Sequence, residues 1–140
     1  LYIDYRRFDH ATITPRYEFG FGISHTTFAY SALRVSTLST AAGSTADAPG
    51  GFASLYDTVA IVTAALTNND TVTGAEVPQP YIGLPSSAPA SHQKQLRGFN
   101  KISLASAASS TVSFKPRRKD LSYWDSPNQK WILPAGTFHV

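Results

Sequence analysis

Apolar and polar positions along this chain alternate in short runs, and helical spacing appears nowhere at convincing length. Thr58 to Thr67 is rich in β-branched residues and ends in the turn signal Asn68, Asn69, Asp70. Tyr30 to Ser36, Gly74 to Leu84, Leu96 to Leu104 and Thr111 to Lys115 each read as strand, and Trp131 to Val140 supplies the last strand material. At the N-terminus, Ile3 and Tyr5 alternate with Tyr2, Asp4 and Arg6, predicting a strand within residues 1–14 that breaks into a turn at Arg7 to His10. About seven short strands separated by turns predict an all-β, immunoglobulin-like antiparallel sandwich.

Two stretches depart from that rhythm. Residues 15–28 set Tyr17, Phe19, Phe21 and Phe28 around Gly20 and Gly22, the pattern of an extended connector bending against another surface. Residues 37–54 are mostly Ser, Thr, Ala, Gly and Pro, which bury little and predict a mobile loop. Its hydroxyls are candidates for O-linked sugar in a secreted protein.

Charge adds little. Twelve basic and nine acidic residues leave a net +3, so the pI near 9.3 reflects scarce acids rather than a basic stripe. Only the run Lys115 to Lys119 is densely basic, and no nucleic-acid partner is expected. No apolar run reaches the roughly 18 residues of a membrane helix, so no membrane partner is expected either. Cysteine is absent, which excludes disulfides and thiolate metal sites. The chain starts at Leu1 and contains no methionine, so it reads as a processed or excised piece of a longer product.

Candidate chemistry is sparse. Asp4 with Asp9, and Asp120 with Asp125, are the carboxylate pairs close in sequence, and both sit where Asp caps turns. His10, His25, His92 and His139 share no ligand spacing, so no metal or cofactor is expected, and a packed or hydrogen-bonded role is predicted for His25. Asn69-Asp70-Thr71 is an N-glycosylation acceptor in a predicted turn. The aromatics leave a choice open. Tyr123, Trp124 and Trp131 form either a platform for sugar or phenolic rings, with Arg117, Arg118 and Lys119 beside it, or part of a core. Core or interdomain packing is the expectation, held more strongly for Trp124 than for Trp131, which follows polar Asn128 to Lys130.

Several of these stretches, in this order, resemble one family. Tyr2 to Asp9 resembles the segment closing the second, α/β-sandwich domain of fungal glycoside hydrolase family 3 beta-glucosidases, and Pro15 to Phe28 resembles their connector. Gly74 to Val77, Lys94 to Phe99 and Arg118 to Asp125 resemble landmarks of their C-terminal fibronectin type III-like domain. The resemblance implies residues 1–14 as the tail of a preceding catalytic domain, 15–28 as connector and 29–140 as a fibronectin type III-like domain. It implies a secreted parent that releases terminal glucose from β-glucosides with retention. The catalytic residues would lie outside this chain, which lacks the family's Ser-Asp-Trp nucleophile context.

The expected role is non-catalytic support of the catalytic domains, through packing by Tyr17, Phe19, Phe21 and Phe28. The alternative is a stand-alone glycan- or lignin-binding module acting through Tyr123, Trp131, Arg117, Arg118 and Lys119. Pro78, Pro80 and Pro116 stand where the family has apolar or small strand residues, which predicts edges or bulges there. The chain stops at Val140 where the family continues with another strand, so a bare edge, or the connector, is also a candidate contact for a second copy.

Overall fold

The structure is a computed structural model that describes residues 2–38, 43–89 and 94–140. Its centre is a three-stranded antiparallel sheet, ordered β1 (Phe28–Thr37), β4 (Ala60–Asn68), β9 (Ser109–Phe114). β4 lies between the other two and turns Ala60, Val62, Leu66 and Asn68 to the buried side, the period-2 pattern of a half-covered strand. The second layer consists of short antiparallel pairs: β5 (Gly74–Glu76) with β8 (Ile102–Leu104), and β6 (Tyr81–Ile82) with β7 (Gln95–Leu96). Leu66, Val112 and Leu104 bring the layers together, with Phe28, Ile102 and Phe114 packed around them. The predicted all-β sandwich is the fold observed.

Asn68 staples one end of it. Its side chain is fully buried, and Nδ2 donates to the carbonyls of Val72 (2.8 Å), Ala105 (3.1 Å) and Leu104 (3.2 Å). Its Oδ1 accepts from the Thr26 hydroxyl and from the Asp70 amide. One buried amide thus ties β4, the turn after it, β8 and the end of the connector together, with its polar atoms met.

Several expectations are corrected, among them the run Gly74 to Leu84, which forms two short strands, β5 and β6, rather than one. Residues Tyr5–Ala11 form an α-helix (α1), not a strand. Seven residues are too few to display a helical period, and the helix is held from outside: the Tyr5 hydroxyl accepts from the Leu96 amide at 2.9 Å, and its ring packs on Tyr81 and Phe19. Thr12 ends α1 in a left-handed conformation, and the Ile13 amide reaches back to the Phe8 carbonyl.

The run Leu96 to Leu104 is not one strand. It breaks at residues 97–101, where the Arg97 and Asn100 amides donate to the carbonyls of Pro80 and Pro78. Pro116 accepts from the Val59 amide in the same manner. All three prolines therefore lie just outside named strands and present only carbonyls, the one ladder group proline keeps.

Within residues 37–54, positions 39–42 lie outside the described residues. The remainder carries a hairpin, β2 (Asp47–Ala48) with β3 (Gly51–Phe52), leading into a 3₁₀ turn at Ala53–Tyr56. Finally, β10 (Tyr123–Asp125) pairs with β11 (Lys130–Ile132) after a second 3₁₀ turn at Arg118–Leu121. Of the last predicted strand, residues 133–140 keep only the bridge of His139 to Gly83.

Candidate functional site

Two surfaces gather the candidate residues. The first is the connector. Between Thr12 and Thr27 the chain has no regular element and turns sharply at Glu18–Phe21, where the Phe21 amide donates to the Glu18 carbonyl at 2.9 Å. Gly20 sits there at φ 84°, a left-handed conformation that favours glycine, and a Cβ would lie 2.3 Å from the Gln79 side-chain nitrogen, which would have to swing aside.

The turn leaves Tyr17 63% and Phe21 62% exposed, their centroids 5.1 Å apart, with Phe19 46% and Ile23 93% exposed nearby. Tyr17, Phe19 and Phe21 wall a cleft of about 590 Å³ whose other side is Tyr5, Tyr30, Glu76 and Tyr81. Phe28, the fourth predicted packing residue, belongs instead to the sandwich core.

Polar groups on this side are incompletely met within the chain. Asp9 pairs with Lys94 at 3.4 Å through Oδ1, while its buried Oδ2 has no hydrogen-bond partner among the described residues. The Arg97 Nε is likewise buried and unmet, and burial holds this guanidinium below its ordinary pKa. Tyr30 donates to Glu76 at 3.0 Å, and burial together with that carboxylate raises the phenol's pKa. Burial also raises Tyr81.

The second surface holds the aromatic and basic residues. β10 and β11 place Trp124 directly opposite Trp131, with ring centroids 5.7 Å apart edge to face. Their exposures reverse the expectation: Trp124 is 43% exposed, and Trp131 is the more buried. The reason lies in residues distant in sequence. Lys119 Nζ sits 4.9 Å from the Trp131 ring and 5.4 Å from the Tyr56 ring, a cation between two π faces. Gly51 of the hairpin comes so near that a Cβ there would touch the indole at 3.4 Å. The Tyr56 hydroxyl donates to the Pro49 carbonyl at 2.6 Å and closes the arrangement.

The predicted platform residues do not converge. Tyr123 neighbours Trp124 along β10, so its side chain leaves the opposite face of the ladder. Arg118 reaches inward, its Nε 3.2 Å from the Ser54 carbonyl. Arg117 turns onto Asp120, which accepts from both its amide and its guanidinium and raises the guanidinium's pKa. Asp125 accepts from Asn128 within the hairpin turn, so one carboxylate of the 120/125 pair caps a 3₁₀ turn and the other a strand loop. His25 is exposed rather than packed, and His10 stacks on Tyr2 at 3.9 Å. His92 lies outside the described residues. Among the described residues, no three His, Asp or Glu side chains gather as a metal site would require.

Tyr56 and the 47–52 hairpin were missed by sequence reasoning. The Gly50-Gly51 pair was the available signal for a turn that brings the next tyrosine onto Lys119.

Comparison with known proteins fits this architecture. Residues 76–140 match the family model of the fibronectin type III-like domain. β1 and β4 lie outside that stretch but share a sheet with β9 inside it. In class, then, this stretch of the chain is similar to fibronectin type III-like domains.

A probable beta-glucosidase L of Aspergillus fumigatus is 51% identical over 141 residues, covering all of this chain and 19% of that protein. The crystal structure of a beta-glucosidase from Chaetomella raphigera superposes with a TM-score of 0.95 at 60% identity, over 99% of this chain and 20% of that one. That of a β-D-glucoside glucohydrolase from Trichoderma reesei gives 0.91 at 51%, with the same coverage. The chain therefore spans about a fifth of the length of the curated relatives it matches. Over nearly its whole length, the chain is similar to the corresponding fifth of these fungal beta-glucosidases.

Proposed function

We propose that this chain is a non-catalytic buttress within a longer, secreted beta-glucosidase that releases terminal β-linked glucose. In this reading residues 1–14 belong to the preceding domain, 15–28 are the connector and 29–140 the sandwich. The observation that carries it is the cluster of Tyr17, Phe19 and Phe21 bared together along one cleft. Burying one such ring is worth about 1.5–3 kcal/mol, so a surface of this kind is stable in water only at a cost that a covering partner removes. The unmet Oδ2 of Asp9, which lines the cleft, supports a partner on the same side. A catalytic domain of the same protein is the partner that the relatives' greater length offers.

The binding-module alternative finds less support. Lys119 occupies a face of Trp131, Tyr123 faces away, and Arg117 and Arg118 are engaged within the chain.

The test is made on the full-length protein. Replacing Tyr17, Phe19 and Phe21 together by Ser should lower its unfolding temperature and the fraction of active molecules, while leaving kcat/KM per folded molecule unchanged. An unaltered unfolding temperature would overturn the buttress. A shift that depends on protein concentration would instead assign these rings to contact with a second copy.

A further inference from the structure

The chain has four asparagines, Asn68, Asn69, Asn100 and Asn128, and only Asn69 opens an Asn-x-Thr triplet. The fold treats the first two oppositely. β4 ends by burying Asn68 completely, and the next residue, Asn69, is exposed. Its backbone is nevertheless fixed: the Asn69 amide donates to the Thr27 carbonyl at 2.9 Å, and the Asp70 amide to Asn68 Oδ1 at 3.1 Å. The Asp70 carbonyl accepts from the Ala107 amide and the Ser106 hydroxyl, and the Thr71 amide donates to Asp70 Oδ1. Thr71 is also exposed, and no hydrogen bond within the described residues engages its hydroxyl or the Asn69 carboxamide. The triplet is thus an anchored turn that presents both groups of the acceptor signal to solvent. None of its residues lines the aromatic cleft.

We propose that Asn69 carries an N-linked oligosaccharide, and that this glycan marks the Asn69 end of the sandwich as a face the catalytic domains leave open. The modification rests on the secreted reading above, because its donor is a lipid-linked oligosaccharide pyrophosphate of the secretory pathway. Asn69 Nδ2 attacks the anomeric carbon of the donor sugar, forming the C1–N bond. The C1–O bond to pyrophosphate breaks, the lipid pyrophosphate leaves with the electron pair, and the amide nitrogen gives one proton to a base of the transferase. Nothing is oxidised or reduced. A branched glycan is too large and too hydrated to lie inside a packed interface, so this end faces solvent while the cleft is covered. The glycan also shades Val72, which is nearly half exposed beside the turn.

The experiment uses the full-length protein recovered from the medium of a filamentous fungus. Enzymatic deglycosylation in heavy-oxygen water should convert the Asn69 peptide to an isotope-labelled Asp form. Asn69→Gln and Thr71→Ala should each lose the mass of one glycan, and Thr71→Ser should keep it. An unlabelled Asn69 peptide from secreted protein, or a glycan that survives Thr71→Ala, would overturn the site. The native protein should yield this glycan to an endoglycosidase without denaturation, and release only after denaturation would overturn the solvent-facing assignment. Protein retained inside the cell would overturn the secreted reading instead. Sent out with an added leader sequence, that protein still decides the modification by the same peptide.

Discussion

Strand β4 buries Ala60, Val62, Leu66 and Asn68 within this chain, whereas the connector holds Tyr17, Phe19, Phe21 and Ile23 in solvent. The two regions meet at the Asn68–Thr26 hydrogen bond, so the contrast is one of partners and not of place. β4 has a sheet neighbour on each side and a second layer over one face, and its apolar groups and its buried amide are met internally. The connector is tied to the sandwich at Thr26 and Thr27 and to α1 through Phe19, and between these points it has a tight turn that approaches Gln79. In the proposed function, a segment so rich in exposed rings is half of an interface. On that reading, stability inside the chain and support of another domain fall to separate sets of residues, which substitutions can separate.

The largest effect is expected at Leu66, which is completely buried. Leu66→Ala should cost about 2–5 kcal/mol in a urea titration followed by circular dichroism. A loss below that range would mean the core is not where the sheet centres it. Asn68→Ala should come next, at about 1–3 kcal/mol, because the Val72, Leu104 and Ala105 carbonyls lose their donor. The tryptophans test the second surface: Trp131→Ala should cost more than Trp124→Ala, the latter about 1 kcal/mol, since Trp124 keeps little beyond its edge-to-face contact. Equal costs would mean Lys119 and the hairpin do not hold the indole.

Tyr30 gives a pH signature. Its pKa is raised in the folded state, while in the unfolded chain it titrates near 10. Its contribution is therefore complete below about pH 10 and is lost as pH rises past that point, a decline that Tyr30→Phe should abolish. The smallest effect belongs to the connector: Tyr17→Ser should change the chain's own stability by less than about 0.5 kcal/mol, an exposed-site value. A large loss there would erase the distinction between the two regions.

β4 was legible in the sequence because β-branched residues run into a turn signal at Asn68 to Asp70, and β9 because Thr111 to Lys115 alternates. Helix α1 was not, because Ile3 and Tyr5 alternate with polar neighbours as in a strand, seven residues show little of a helical period, and the helix is fixed by Leu96, Tyr81 and Phe19. The prolines were expected at edges or bulges, and they lie just outside the named strands, where their carbonyls still accept hydrogen bonds although their nitrogens cannot donate. The exposed connector rings were legible as candidates from their density around Gly20 and Gly22. The inverted roles of the two tryptophans were not. A ladder face is set by its register, and the cover on Trp131 comes from Lys119 and from a hairpin near residue 50 that composition reads as featureless loop.

Asn68 also sets how this protein ages. Its amide nitrogen faces three carbonyl oxygens, so conversion of that side chain to a carboxylate would swap a donor for a negatively charged oxygen pointed at those three acceptors. Burial keeps water from the amide while the fold is closed, and local opening of the β4 end admits it. Slow chemical damage on storage should therefore follow the rate at which this corner breathes, and a single deamidation there would leave the molecule unable to close again.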